Sequence, residues 1–398
     1  MPWGWREPVP TSRVAAVSLP RRAFLRTGAL AAGAAWVASA LPPFARDALT
    51  ALPSPDLIVR NEFPEHWETS VAALGRSVIT PEDRFFVRTH FPVPEIDERA
   101  WRLEITGLVE RPLTLTLAEL RALPVVKRTA ILECAGNGRG LFTSATTSGT
   151  QWERGAVGNG EWSGVALKTV LERAGVKEGA GHVWFEAADE APLPGPPKFL
   201  RSIPIDKAQD DALLAHTMNG AKLTRRHGGP LRLVVPGWFG MAWSKWVTKI
   251  RVEKEPSDNH FMARSYHYNV AGTAPASAPG VETLRVKSLI TSPLTETQVR
   301  PGRLVVQGFA WAGPSGVARL ELSADDGRTW AEGRLDGTKD GYAWRPWRTE
   351  IDVRPNQEIV LRARASDGNG DTQPEQASAN ASGYANNSIH RVVVHGAA

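Results

Sequence analysis

The chain has 398 residues, with 47 Lys and Arg against 42 Asp and Glu, for a formal net charge of +5. That length allows two or three domains and a large core. So slight a charge, with no dense Lys/Arg stripe, gives no sign of a nucleic-acid partner. A single cysteine excludes an internal disulfide, a four-cysteine zinc or iron–sulfur centre and a thioether haem attachment.

In chain order, residues 19–40 read LPRRAFLRTGALAAGAAWVASA. Arg21 and Arg22 precede Phe24 and Leu25, a moderately apolar run follows, and Ala38-Ser39-Ala40 has the small side chains of a cleavage site. The run is too short for a stable membrane span. The segment 1–40 resembles a twin-arginine signal peptide, which implies export of the folded protein to the bacterial periplasm. Residues 41–80 read as an irregular lead-in.

From 81 to 255 short strands and helices are mixed. WRLEITGLV (101–109) alternates like a strand, and LTLAELRAL (115–123) has helical spacing behind a threonine able to cap it. RTAILECAG (128–136) reads as a buried strand, and GVALKTVLERAGV (164–176) as a helix stopped by Gly175. HVWFEAAD, PLRLVVPG and KWVTKIRVE read as further strands, and PIDKAQDDALLAHTMNG (204–220) contains a helix. Residues 256–282 are rich in Pro, Ala, Gly and Ser and read as a connector. Residues 283–398 hold about seven short β runs separated by Gly, Asp and Pro turns, the pattern of an immunoglobulin-like sandwich. The fold class expected is therefore α+β followed by all-β.

Three stretches carry candidate chemistry. In ILECAGNGRG a strand delivers Cys134 to a glycine-rich loop ending in Arg139. Cys134 reads either as a buried structural thiol or as the soft ligand of a heavy metal. Bare glycines let backbone N–H groups approach an anion, and Arg139 adds a permanent, forked cation. In RRHGGPLRLVVPGWFGMAWSKW, His227, Arg232 and Lys245 surround an apolar strand. In FFVRTHFPVP, Arg88 and His90 share one face of an extended segment.

These stretches, with SIPIDKA, LLAHTMNG and the tail strings SADDGRTW, SDGNGDTQP and GYANNSIHRVVV, resemble the sulfite oxidase family over about residues 80–396. The resemblance implies a molybdopterin-binding catalytic domain at 81–255 and a dimerisation domain at 283–398, hence a homodimer. It implies molybdenum held by Cys134 as the one protein ligand. Pterin and phosphate contacts carry over to His90, His227, Arg232 and Lys245. Arg88 and Arg139 match arginines lining the oxyanion pocket, and Trp152 matches its aromatic wall. The implied reaction moves an oxygen atom to sulfite. With no haem segment visible, electrons pass to a separate c-type cytochrome.

Two positions depart from the family pattern. Phe199 stands where a tyrosine is expected before the SIP motif, and a phenyl ring carries no hydroxyl. Ser382 stands where an arginine is expected before Gly383. Arg201, two residues after Phe199, is a candidate substitute for the missing charge. These departures keep open a relative acting on another sulfur substrate, sulfane dehydrogenase-like, or reducing sulfoxides or N-oxides. A non-catalytic envelope binding protein on the same fold is the reading of a different class.

Overall fold

The computed structural model describes residues 53–398, except 144–146, 193, 271, 275–277 and 338–340. The expected signal peptide lies outside the described residues. Among the described residues the chain is mostly β, arranged in five sheets. The longest helix there is Leu167–Ala174, of 8 residues, closed by Gly175 at φ 73. Leu117–Arg121 is a short capped segment in which Thr116 accepts from the Glu119 N–H and Glu119 accepts from the Thr116 N–H. Helix is thus scarcer than an α+β reading expects.

The stretch read as an irregular lead-in forms structure. Leu57–Asn61, His66–Thr69 and Val87–Arg88 make a three-stranded antiparallel sheet, with His66 opposite Arg88. A second sheet runs in the order Ala221–Lys222, Leu213–Met218, Val157–Ala166, Val125–Glu133, and Arg232–Val234 also pairs with Leu213–Met218. A third runs Leu113–Thr116, Arg102–Gly107, Val247–Glu253, His182–Ala187, Leu200–Pro204. Its Arg102–Gly107 and Val247–Glu253 pair is parallel.

Two elements escape the sequence reading for physical reasons. Val157–Ala166 is a strand although it holds three glycines, at 158, 160 and 164. A Cβ on Gly164 would lie 2.0 Å from the Leu214 carbonyl oxygen, and one on Gly158 would lie 2.6 Å from the Phe85 ring. The glycines mark close approach, not a break. In 204–220 the helix stops at Asp210, and Leu213–Met218 is a strand. It is flanked by strands on both edges and almost wholly buried, so it shows no alternation.

The C-terminal part packs two sheets face to face. One holds Lys287–Ser292, Gly302–Trp311, Arg345–Val353 and Arg334–Leu335 in that order. The other holds Thr297–Val299, His390–Gly396, Glu358–Asp367, Val317–Ser323 and Ala331–Glu332. Alternation along Glu358–Asp367 turns Ile359, Leu361, Ala363 and Ala365 inward. They meet Ile290, Val306 and Trp347 of the facing sheet in one core.

The two parts share a further apolar cluster that brings Ile131, Ala135 and Met241 against Phe309, Trp311 and Trp344. A buried polar network crosses it. Lys287 Nζ reaches Glu133 Oε1 at 3.0 Å, Asn137 Nδ2 donates to the same oxygen at 2.8 Å, and Trp311 Nε1 donates to Oε2 at 2.8 Å. The Lys287 and Glu133 side chains are 7% and 3% exposed. A buried carboxylate that loses its cation is left uncompensated, at a cost of about 3–5 kcal/mol. Lys287→Met should lower the free energy of unfolding by about that much, measured by urea denaturation with the two parts followed separately.

Candidate active site

Val125–Glu133 ends one residue before Cys134. The Cys134 N–H still donates to the Ala156 carbonyl at 2.9 Å, while its own carbonyl already accepts from Asn137 N–H at 2.9 Å. The chain therefore turns immediately after the cysteine. Gly138 takes φ 89, and a Cβ there would lie 2.9 Å from Asn386 Cβ, so the turn needs a bare residue.

Cys134 lies on the wall of a cleft enclosing about 710 Å³ of empty space, part of it open to solvent. Arg88, His90, His227, Arg232 and Lys245 line the same cleft. They arrive from two stretches of chain: Arg88 from a strand of the first sheet and His90 just after it, then His227 from the turn before Arg232–Val234, Arg232 from that strand and Lys245 from the run entering Val247–Glu253.

His90 Nε2 is 2.8 Å from the Tyr266 hydroxyl, and its ring stacks on Phe199 at 3.9 Å between centroids. Burial, followed by the charges of Arg88 and Lys245, holds this imidazole neutral well below its usual pKa. His227 Nε2–H donates to the Glu82 carbonyl at 3.2 Å, which leaves Nδ1 as the acceptor nitrogen. Its pKa falls to about 3, chiefly by burial and then by Arg232. Arg232 donates Nη1 to the His227 carbonyl at 3.0 Å and lies over the Trp162 ring at 5.2 Å. Burial lowers its pKa to about 9. Lys245 donates to the Arg226 carbonyl at 3.0 Å and sits 4.1 Å over Trp246, and burial pushes its pKa well below normal. Arg88 Nη1 and Arg232 Nε are buried with no partner among the described residues.

Desolvated cations with orphaned donors are costly unless an anion satisfies them. The arrangement suits a ligand that brings several negative charges and polar ring edges. The thiol on the wall adds a soft metal donor.

Not every residue anticipated for the pocket reaches its wall. The Arg139 guanidinium folds back across Gly136, where a Cβ would meet it at 2.9 Å. It donates Nε to the Ser382 carbonyl at 2.8 Å and Nη1 to the Thr150 carbonyl at 3.0 Å. Arg201 is buried behind Tyr266, 5.3 Å over its ring, and donates to the Phe261 carbonyl. Trp152 is 1% exposed in the apolar core, with its ring 5.8 Å from that of His66. Arg88 is the arginine of the expected oxyanion set that lines the cleft.

The sequence reading missed several lining residues, among them Arg226, whose guanidinium is held by Glu65 and Trp67, and the two that follow. Tyr266, from the segment read as a connector, brings a phenolic hydroxyl to the cleft, although Phe199 itself has none. The aromatic cluster FMARSYHYNV was its only signal. Asp189, 4% exposed, follows the strand His182–Ala187, and burial raises its pKa against the pull of Lys245. A lone acidic residue at a strand end carries no distinguishing signal.

The comparisons with known proteins agree with this chemistry. A family model described as the oxidoreductase molybdopterin binding domain matches residues 90–261, and one described as the Mo-co oxidoreductase dimerisation domain matches residues 279–397. The chain is 33% identical to sulfite oxidase of Arabidopsis thaliana over 371 residues, covering 85% of this chain and 94% of that one. It is 34% identical to mitochondrial sulfite oxidase of Rattus norvegicus, of whose length it spans 66%. Among solved structures, the sulfane dehydrogenase SoxCD of Paracoccus pantotrophus is 31% identical, with a TM-score of 0.73 and 86% of each chain covered. Molybdopterin bearing molybdenum is the cofactor these matches indicate, and the orphaned cationic donors around the Cys134 thiol fit it. The chain belongs to the sulfite oxidase family of molybdopterin-dependent oxidoreductases.

Proposed function

We propose that the chain is a periplasmic enzyme that oxidises sulfite to sulfate. Water supplies the added oxygen, and two electrons and two protons leave. The electrons go to a separate c-type cytochrome, and the one cysteine of this chain gives it no thioether pair of its own for haem. The twin-arginine segment supports export. The C-terminal pair of sheets, which we read as immunoglobulin-like, would serve as the face of a homodimer, in keeping with the dimerisation-domain match.

The observation that carries the reading is the buried Arg88 Nη1, without a partner among the described residues, in the same cleft as the Cys134 thiol. When bound, the molybdenum cofactor supplies oxygen-atom transfer and accepts the electron pair. Cys134 would hold the metal as thiolate. His90, His227, Arg232 and Lys245 would hold the pterin and its phosphate, His227 through its acceptor Nδ1 and the cations through their free donors. Asp189 would accept from ring N–H groups. Arg88 would bind two oxyanion oxygens with its fork and hold the substrate against the thiol side of the cleft. Arg139, Arg201 and Trp152 would act from behind that surface.

A second reading, oxidation of a sulfane-type sulfur, draws on the likeness to SoxCD and on Ser382. With Arg139 bonded to backbone carbonyls, the cleft presents less positive charge than a compact dianion would favour. Steady-state assays of molybdenum-loaded protein with cytochrome c should show sulfate formed at one per two electrons. Turnover of thiosulfate or a persulfide without turnover of sulfite would transfer the assignment to the second reading.

Three further outcomes are expected. Cys134→Ser should lose bound molybdenum, by metal analysis, while its circular dichroism stays that of the parent. Arg88→Met should raise KM for sulfite by about 10–100-fold, the worth of a hydrogen bond to a charged group, with molybdenum content unchanged. Acid should destabilise the cofactor-free protein. His66 is held to a pKa of about 4 by burial and then by Arg88, and His227 to about 3, whereas unfolded imidazole protonates near 6.5. The unfolded chain thus binds more protons below about pH 6.5. The thermal midpoint should fall steadily from pH 7 to pH 4.

A further inference from the structure

We propose that Tyr384, from the C-terminal part, is a positioning residue that sets the Tyr266 hydroxyl in the cleft and thereby tunes selection of the oxyanion. The proposal rests on the reading of this cleft as the substrate site.

Tyr266 is the aromatic hydroxyl lining the cleft among the described residues, yet its backbone is poorly suited to stand alone. It adopts φ 58, left-handed for a residue that carries a Cβ. Its carbonyl accepts from Val281 N–H at 2.7 Å, which fixes the main chain but not the ring. The ring is fixed by what it touches. Tyr384 stacks on it at 5.2 Å between centroids and 21° between planes. The Arg201 guanidinium lies 5.3 Å over it. Tyr384 in turn carries the Arg139 guanidinium at 5.3 Å over its own ring. Two arginines anticipated as substrate ligands are thus engaged on the faces of a tyrosine pair.

The Tyr384 backbone is heavily constrained. Asn380 accepts from the Tyr384 N–H and donates to its carbonyl, both at 2.9 Å. The next residue, Ala385, donates to the Ala135 carbonyl at 2.8 Å, and Asn386 Nδ2 donates to the Gly138 carbonyl at 2.9 Å. Ala381 N–H donates to Asn269 C=O at 2.7 Å, tying the same loop to the segment that carries Tyr266. The loop is stapled on one side to the turn after Cys134 and on the other to the Tyr266 segment. It transmits the position of one to the other through a stacked ring. Without that ring Tyr266 keeps its bond to His90 and its contact with Arg201 but loses the stacked support, so its hydroxyl is held less firmly in the cleft.

The test is a cycle on the molybdenum-loaded protein with Tyr384→Phe, Tyr384→Leu, Tyr266→Phe and the double variant Tyr266→Phe/Tyr384→Leu. Steady-state KM for sulfite and the dissociation constant of sulfate, by titration calorimetry, are both read. Tyr384→Phe keeps the stacked face and should bind sulfate as the parent does. Tyr384→Leu keeps an apolar side chain but not the aromatic face, and should weaken sulfate binding and raise KM about tenfold, the scale of an aromatic pair with its cation. Its molybdenum content and thermal midpoint should match those of Tyr384→Phe. In the Tyr266→Phe background, Tyr384→Leu should have no further effect on either quantity. Equal loss in Tyr384→Phe and Tyr384→Leu, or additive losses in the double variant, would overturn the positioning role. Absence of sulfite turnover in the parent would instead remove the proposed substrate, while the sulfate cycle still decides the role of Tyr384.

Discussion

Arg232 is buried and Arg88 and Lys245 are half-buried around one cleft, with Asp189 as the buried carboxylate among them. Each cation raises the cost of the others. Burial and mutual repulsion hold His90 and His227 neutral beside them. A chain selected for stability alone would not gather such charge away from water. The cleft is therefore a site whose electrostatics are completed by a bound polyanion. That constraint explains why its cations lean on carbonyl oxygens and indole faces, and why the surrounding core is so rich in tryptophan: these groups stabilise a cation weakly without neutralising it.

The same constraint explains the division of labour between the two parts. The turn after Cys134 must be rigid, because a metal ligand displaced by a fraction of an ångström is a different site. Its own sequence, rich in glycine, supplies little stiffness. Stiffness comes from the C-terminal part, through Lys287 and Trp311 on Glu133 at one side of the cysteine and Asn386 and Ala385 on the glycine loop at the other. The sandwich is thus a structural wall of the site, in addition to any role in assembly.

Legibility in the sequence followed the range of the forces involved. Strands with one buried face, such as Glu358–Asp367, alternate and were visible. Leu213–Met218 was not, because full burial erases alternation. Val157–Ala166 was hidden by glycines that exist for contacts with Phe85 and Leu214, residues far away in the chain. Chemistry written in contiguous strings, Cys134 in its loop and His227, Arg232 and Lys245 within one stretch, was legible. Tyr266 and Asp189 were not, since each comes alone from a segment whose local pattern says only loop or strand end.

What the sequence determined by itself was the chemical inventory: one soft thiolate, a set of permanent cations, and the β-rich framework that carries them. Local pattern suffices for that, since residue type and spacing fix which donors exist. The tertiary structure decided which donors face the ligand. Arg139 and Arg88 are equally cationic in sequence, but a backbone carbonyl at Ser382 and the ring of Tyr384 draw Arg139 aside, while Arg88 Nη1 has no partner among the described residues. The direction of a long, flexible side chain is set by acceptors and ring faces that only the folded chain brings within reach.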